Sequence, residues 1–216
     1  GDGAGEMGDF LVAVDLGTDE DDNKLTAKSV SAGYQYTCAV LSDDTIKCWG
    51  YNHIGQLGQG NTDNIGDGAG EMGDFLVAVD LGTGLTAKSV KCGVIHTCAI
   101  LNDDTLKCWG SSYSGQLGEK TTFVGDTTER DDYTFGNEAD EMGNYLVRVD
   151  LGTGRTVLNV FLQPSNLVGP ICAVLDDYSL KCWGNVWSGM LGNEEAAYTN
   201  DYVGDGLKRN ENGDLV

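Results

Sequence analysis

YTCAVLSDDTIKCWG at 36–50, HTCAILNDDTLKCWG at 96–110 and ICAVLDDYSLKCWG at 171–184 are three versions of one segment, and their comparison decides the fold. In each, two short apolar runs rich in strand-forming residues flank a turn of Ser, Asn and Asp, the pattern of a β-hairpin. Upstream, GDGAGEMGDFLVAVDLGT at 1–18 recurs letter for letter at 66–83 and returns in diverged form as GNEADEMGNYLVRVDLGT at 136–153. Downstream, GQLG at 55–58 and 115–118 decays to GMLG at 189–192. Self-similarity at a fixed period is the signature of a repeat architecture. The units are 1–65, 66–135 and 136–203, and GDGLKRNENGDLV at 204–216 reads as the start of a fourth repeat or as an inter-subunit connector. Length varies at 19–23 and 121–135, inserts that belong on surface loops.

Within unit 1, LVAVDL, TAKSV, YTCAVL and TIKCWG are strand-like and bounded by Gly, Asp and Thr; no segment sustains a helical period. Four short strands in each unit predict an all-β fold of propeller-type blades, each with four antiparallel strands, three blades plus the start of a fourth. Three blades cannot close a ring, since propellers begin at about four. Two free blade edges are therefore expected, and free edges need a cap, another copy, or further blades of a longer polypeptide of which these residues are a fragment.

The cysteines are spaced alike in every unit. Cys38 and Cys48, Cys98 and Cys108, and Cys172 and Cys182 each stand ten apart and bracket the hairpin turn. With a three-residue loop, Cys38 falls opposite Cys48, close enough to bond. Such a staple stabilises a blade by roughly 2–3 kcal/mol in the chain-entropy picture. Repetition of the pairing points to disulfides and an oxidising, extracellular compartment, with reduced buried thiols as the alternative. Zinc is disfavoured because C-x-x-C is absent and His53 and His96 fall at different repeat phases. Cys92 is left over, either a buried thiol or a candidate for an intermolecular disulfide.

The T-C-A-x-L-x-D-D-x-x-K-C-W-G hairpin with W-G-x(4)-G-Q-L-G, from Trp49 to Gly58 and from Trp109 to Gly118, resembles the repeats of the regulator of chromosome condensation family. The resemblance implies a β-propeller, usually of about seven blades, and raises guanine-nucleotide exchange or chromatin binding as a function. The paired cysteines depart from the usual repeat and argue against that intracellular setting. So does the charge of −21, from 34 acidic and 13 basic side chains, which repels phosphate and excludes nucleic acid as a natural partner.

An acidic pattern recurs in the glycine-rich loop: Asp2, Glu6 and Asp9, then Asp67, Glu71 and Asp74, then Asp140 and Glu141. Carboxylates on flexible backbone can wrap calcium, which takes about 6–8 oxygens; solvated turns joining blades are the alternative. GAGEMG at 3–8 fits the dinucleotide fingerprint formally but precedes a strand, so no helix N-terminus is there to hold phosphate. Trp49, Trp109 and Trp183 read as spacers between blades, Lys47, Lys107 and Lys181 as partners of nearby carboxylates, and Asp15, Asp80 and Asp150 as hydrogen-bond acceptors at strand ends. No nucleophile stands beside a base at a recognisable spacing, so no enzyme is expected. No apolar run is long enough for a membrane span. The expected function is an extracellular structural protein that self-associates head to tail into a fibre or other oligomer, with residues 204–216 as connector. A secreted, calcium-dependent binding module for carbohydrate or a basic protein is the alternative.

Overall fold

The computed structural model describes residue 3 and residues 5–118, 134–165, 169–185, 189–192 and 202–203. Strands β1 (Ala27–Ala32), β2 (Tyr36–Leu41) and β3 (Ile46–Gly50) pair in chain order. β4 (Ala87–Cys92), β5 (His96–Leu101), β6 (Leu106–Ser111) and β7 (Thr134–Phe135) build a second antiparallel sheet in the same order. β8 (Val157–Phe161), β9 (Ile171–Leu175), β10 (Leu180–Asn185) and β11 (Tyr202–Val203) build a third.

Each central hairpin turns through three residues. Leu41 N–H donates to the Thr45 carbonyl at 2.9 Å and Leu101 N–H to that of Thr105 at 2.9 Å. The third loop residue, Asp44, Asp104 or Tyr178, sits in the left-handed region at φ 64°, 62° and 64°. The middle aspartate fixes the exit: Asp43 Oδ1 accepts from the Thr45 hydroxyl at 2.7 Å, Asp103 Oδ1 from Thr105 at 2.6 Å and Asp177 Oδ1 from Ser179 at 2.6 Å. This register opposes Cys38 to Cys48, Cys98 to Cys108 and Cys172 to Cys182, with Cα atoms 4.1 Å apart in every pair and the sulfurs bonded.

The fourth strand differs from the expectation. LVAVDL forms no regular strand; the outer edge of a blade comes from the residues just before the next glycine-rich loop. Ile65 bridges Gly50, Phe135 pairs with Gly110, and Val203 pairs with Gly184. The LVAVDL segment runs extended from the rim of one blade to the face of the next, so it meets each sheet too briefly for a ladder. Its backbone anchor is short: Val79 N–H donates to the Ile46 carbonyl at 2.8 Å, and Val149 N–H to that of Leu106 at 2.9 Å. Ile65, Phe135 and Val203 thus close the blade of their own unit, while Val79 and Val149 of the following unit each add a backbone bond to the edge strand of the blade before.

Alternation along the strands gives each blade two apolar faces. One carries the cystine with Val40 and Ile46, or with Ile100 and Leu106. The other carries the first-strand pair Ala87 and Val90, or Val157 and Val160. The first core joins the cystine face of the first blade to the valine face of the second, and the next core repeats this between the second and third. β5 and β6, covered on both faces, are buried along their whole length.

Candidate functional site: the seams between blades

Three contacts recur at both seams. The first is the tryptophan after the hairpin cysteine. Trp109 Nε1 donates to the Gln56 carbonyl at 3.1 Å, and Trp183 Nε1 to the Gln116 carbonyl at 2.9 Å. The indole of one blade thus plugs into the G-Q-L-G turn of the blade before it. Gly58 and Gly118 close these turns at φ 68° and 65°, where a Cβ would stand 2.8 Å from Trp109 Nε1 or 2.9 Å from Trp183 Nε1, so the turn demands glycine for both conformation and space. Trp109 is fully buried and Trp183 nearly so, as expected of spacers.

The second contact is the lysine. Lys47 Nζ donates to the carbonyls of Leu16 at 2.8 Å and Gly73 at 3.1 Å, and Lys107 Nζ to those of Leu81 at 2.9 Å and Gly143 at 2.7 Å. In both, the ammonium satisfies carbonyls from two successive repeats at once. Burial pulls the Lys47 ammonium below its ordinary pKa, while Asp74, Asp43 and Asp15 act from a distance to oppose the shift.

The third contact is a clasp between D-L-G-T of one repeat and M-G-D or M-G-N of the next. Gly73 N–H donates to the Asp15 carbonyl at 3.1 Å, and Gly143 N–H to that of Asp80 at 3.0 Å. Asp74 Oδ1 accepts from Thr18 N–H at 2.7 Å, which holds its carboxyl below the usual range, and Asn144 Oδ1 accepts from Thr83 N–H at 2.9 Å. Asp15, Asp80 and Asp150 accept from the N–H groups of Gly17, Gly82 and Gly152 at 3.0, 2.8 and 3.0 Å.

The acidic loop residues do this structural work separately. Glu6 accepts from Gly3 N–H at 3.0 Å, Glu71 from Gly66 and Gly68 at 2.7 and 2.8 Å, and Glu141 from Gly136, Asn137 and Glu138 at 2.9, 3.1 and 3.0 Å. Asp9, Asp67 and Asp140 are exposed, and Asp2 lies outside the described residues. No group of three His, Cys, Asp or Glu side chains suited to a metal ion occurs among the described residues. Among the described residues, each glutamate of the set turns back onto its own loop.

Cys92 is buried at 3% exposure, its Sγ 3.2 Å from the Ser31 carbonyl across the first seam, and burial pushes its thiol up to about 11. A bond to another chain would require that seam to open. Nearby, the Tyr36 hydroxyl donates to the His96 carbonyl at 2.7 Å and accepts from the Thr97 hydroxyl at 3.0 Å. His96 occupies the position of Tyr36 one blade on, fully buried, with neither ring nitrogen hydrogen-bonded. The position matching Thr97 in the third blade is Ile171, so the hydroxyl that meets Tyr36 has no counterpart there. Sequence reading missed these cross-blade pairs because both members look unremarkable within their own repeat.

The two ends of the array show what the seams conceal. Val30 is 66% exposed, whereas the equivalent Val90 and Val160 are 3% and 0%. Leu11 and Val14 are 61% and 55% exposed, although Leu76 and Val79, in the same eighteen-residue sequence, are 1% and 6%. At the other end Leu180 is 62% exposed, against 0% and 1% for Ile46 and Leu106.

The regulator of chromosome condensation (RCC1) repeat model matches residues 27–56 and 87–116, which span three strands and the start of the G-Q-L-G turn in two blades. The chain is 32% identical over 105 residues to the ultraviolet-B receptor UVR8 of Arabidopsis thaliana, covering 48% of this chain and 20% of that protein. It is 22% identical over 144 residues to an RCC1 domain-containing protein of Dictyostelium discoideum, covering 64% of this chain and 28% of that one. Among solved structures, yeast RCC1 (Prp20) bound to Kap60 superposes with a TM-score of 0.57 at 16% identity, over 82% of this chain and 36% of that chain. The chain thus spans between a fifth and just over a third of the length of these proteins.

Proposed function

We propose, on the premise that this chain is built of regulator of chromosome condensation repeats, that it is a structural protein of an oxidising, extracellular setting whose stapled blades join end to end into a fibre or other oligomer. The observation that carries this reading is the cystine placed at one register in every blade, facing the seam where the next blade docks. A thiol pair maintained at the same place three times fits an environment that keeps it oxidised. The recurring tryptophans and lysines at the seams are committed to backbone carbonyls, which suits a scaffold better than a reaction centre. The solved neighbour bound to Kap60 supports a protein as the class of partner, and the charge of −21 opposes a chromatin partner.

Peptide mapping of native material without reduction tests the setting, and electron microscopy of the same material tests assembly. Three linked cysteine pairs and fibres or closed oligomers are expected. Free thiols at the six hairpin positions would overturn the oxidising setting, and dispersed single particles at every concentration would overturn the structural role.

A further inference from the structure

We propose that the valine face of the first blade receives the cystine face of the third blade of a second copy, with Trp49 Nε1 donating to the Met190 carbonyl of that copy. This deepens the reading above and rests on it.

The occupant follows from equivalence. Beside Trp49 lies a hollow of about 290 Å³ lined by Gln35, Trp49, Gly50, Ile65, Gly66 and Asp67 among others. In the second blade the matching surface is already filled. The 55–58 turn sits on it: Gly60 N–H donates to the Gly136 carbonyl at 3.0 Å, a Cβ on Gly55 would stand 2.5 Å from Asn137 N, and Trp109 donates to the Gln56 carbonyl. Gly136 and Asn137 are the counterparts of Gly66 and Asp67 in the repeat. The hollow therefore has the lining of a seat for a G-x-L-G turn.

A turn of that kind lies at the far end, with Met190 and Leu191 only half-buried. Residues 189–192 close as the other two do, with Gly192 N–H donating to the Gly189 carbonyl at 3.0 Å, against 2.9 Å for Gly58 to Gly55 and 3.1 Å for Gly118 to Gly115. Leu191 is half-buried whereas Leu57 and Leu117 are fully buried. Met190 replaces glutamine, but the acceptor at the seam is the backbone carbonyl, which the replacement keeps.

The apolar faces match in the same way. Ala27 and Val30 are exposed at one end; Cys172, Val174 and Cys182 are half-buried and Leu180 is exposed at the other. Their equivalents form the cores at both internal seams. Contact of this kind is heterologous, the same two surfaces recurring from copy to copy, and it makes a filament or a ring according to the rotation.

Val30→Lys and Leu180→Lys each place a charge on one exposed face of the isolated chain, so both variants should keep the wild-type thermal midpoint at micromolar dilution. Analytical ultracentrifugation of the full chain across micromolar to millimolar concentration should show wild type growing into oligomers and each variant staying monomeric. A 1:1 mixture should stop at a dimer, because the Leu180→Lys copy keeps an intact valine face and the Val30→Lys copy an intact cystine face. Tryptophan emission should shift to the blue in the mixture as Trp49 is covered. Oligomers that persist in either variant alone would overturn this contact while leaving end-to-end assembly standing. A wild type that stays monomeric throughout would overturn both.

Discussion

At the scale of single residues, His96 is a polar ring with nothing to bond. Burial alone lowers its pKa from 6.5 to about 4. The unfolded chain therefore binds a proton at this site from pH 6.5 downward, while the folded chain resists until about pH 4. The unfolded state holds more protons in that window, so stability is complete above it and falls as the pH descends through it, by about 3 kcal/mol in all. His96→Phe removes the titration. Denaturant melts of the two proteins at pH 7 and pH 4.5 should show wild type losing more stability than the variant; parallel losses would mean that His96 finds a partner in solution. Tyr36, Cys92 and His96 belong to one cross-blade cluster, yet the sequence displays them as separate letters of separate repeats. The spacing of Trp109 and Gln116 was readable as a signature, but the bond runs from Trp109 to Gln56 in the preceding unit. Local spacing cannot report a contact across 53 positions.

At the scale of elements, the hairpins were the most legible part of the chain. A ten-residue cysteine spacing around a Ser-Asp-Asp turn admits few registers, and the three-residue loop is the one that also opposes Val40 to Ile46. The outer strand was not legible, because the apolar letters of LVAVDL read as a strand, whereas the second copy buries Leu76, Val79 and Leu81 at uneven spacing and gives the neighbouring edge strand one backbone bond, from Val79. The cystines differ in exposure more than in setting: Cys38, Cys48, Cys98 and Cys108 are fully buried, while Cys172 and Cys182 are half-buried. Limited reduction of the monomer followed by alkylation should label Cys172 and Cys182 first, read by peptide mass spectrometry. Equal labelling of all three pairs would mean that the seams open as readily as the free end.

At the scale of the whole molecule, the charge of −21 works against the contact that the exposed faces invite. Copies that meet end to end carry the same sign, so screening favours association. Raising sodium chloride from 50 mM to 500 mM should tighten self-association roughly tenfold by light scattering. Insensitivity to salt would place the acidic surface away from the junction. Repeat count and cysteine spacing foretold free ends and staples. They did not foretell that Val79 of the second unit bonds the edge strand of the first blade, since an exact copy of a sequence carries no mark of which neighbour its segments touch.

That cystine also alters how the molecule answers a pull. Tension applied at the two termini runs through each hairpin, but the bond from Cys38 to Cys48 shunts it across Cα atoms 4.1 Å apart. Ten residues drawn taut would otherwise pay out about 33–36 Å. An oxidised blade therefore withholds roughly 30 Å of slack that a reduced one releases, making the array short-stepped and stiff under load, and force spectroscopy with and without reductant would read the difference blade by blade.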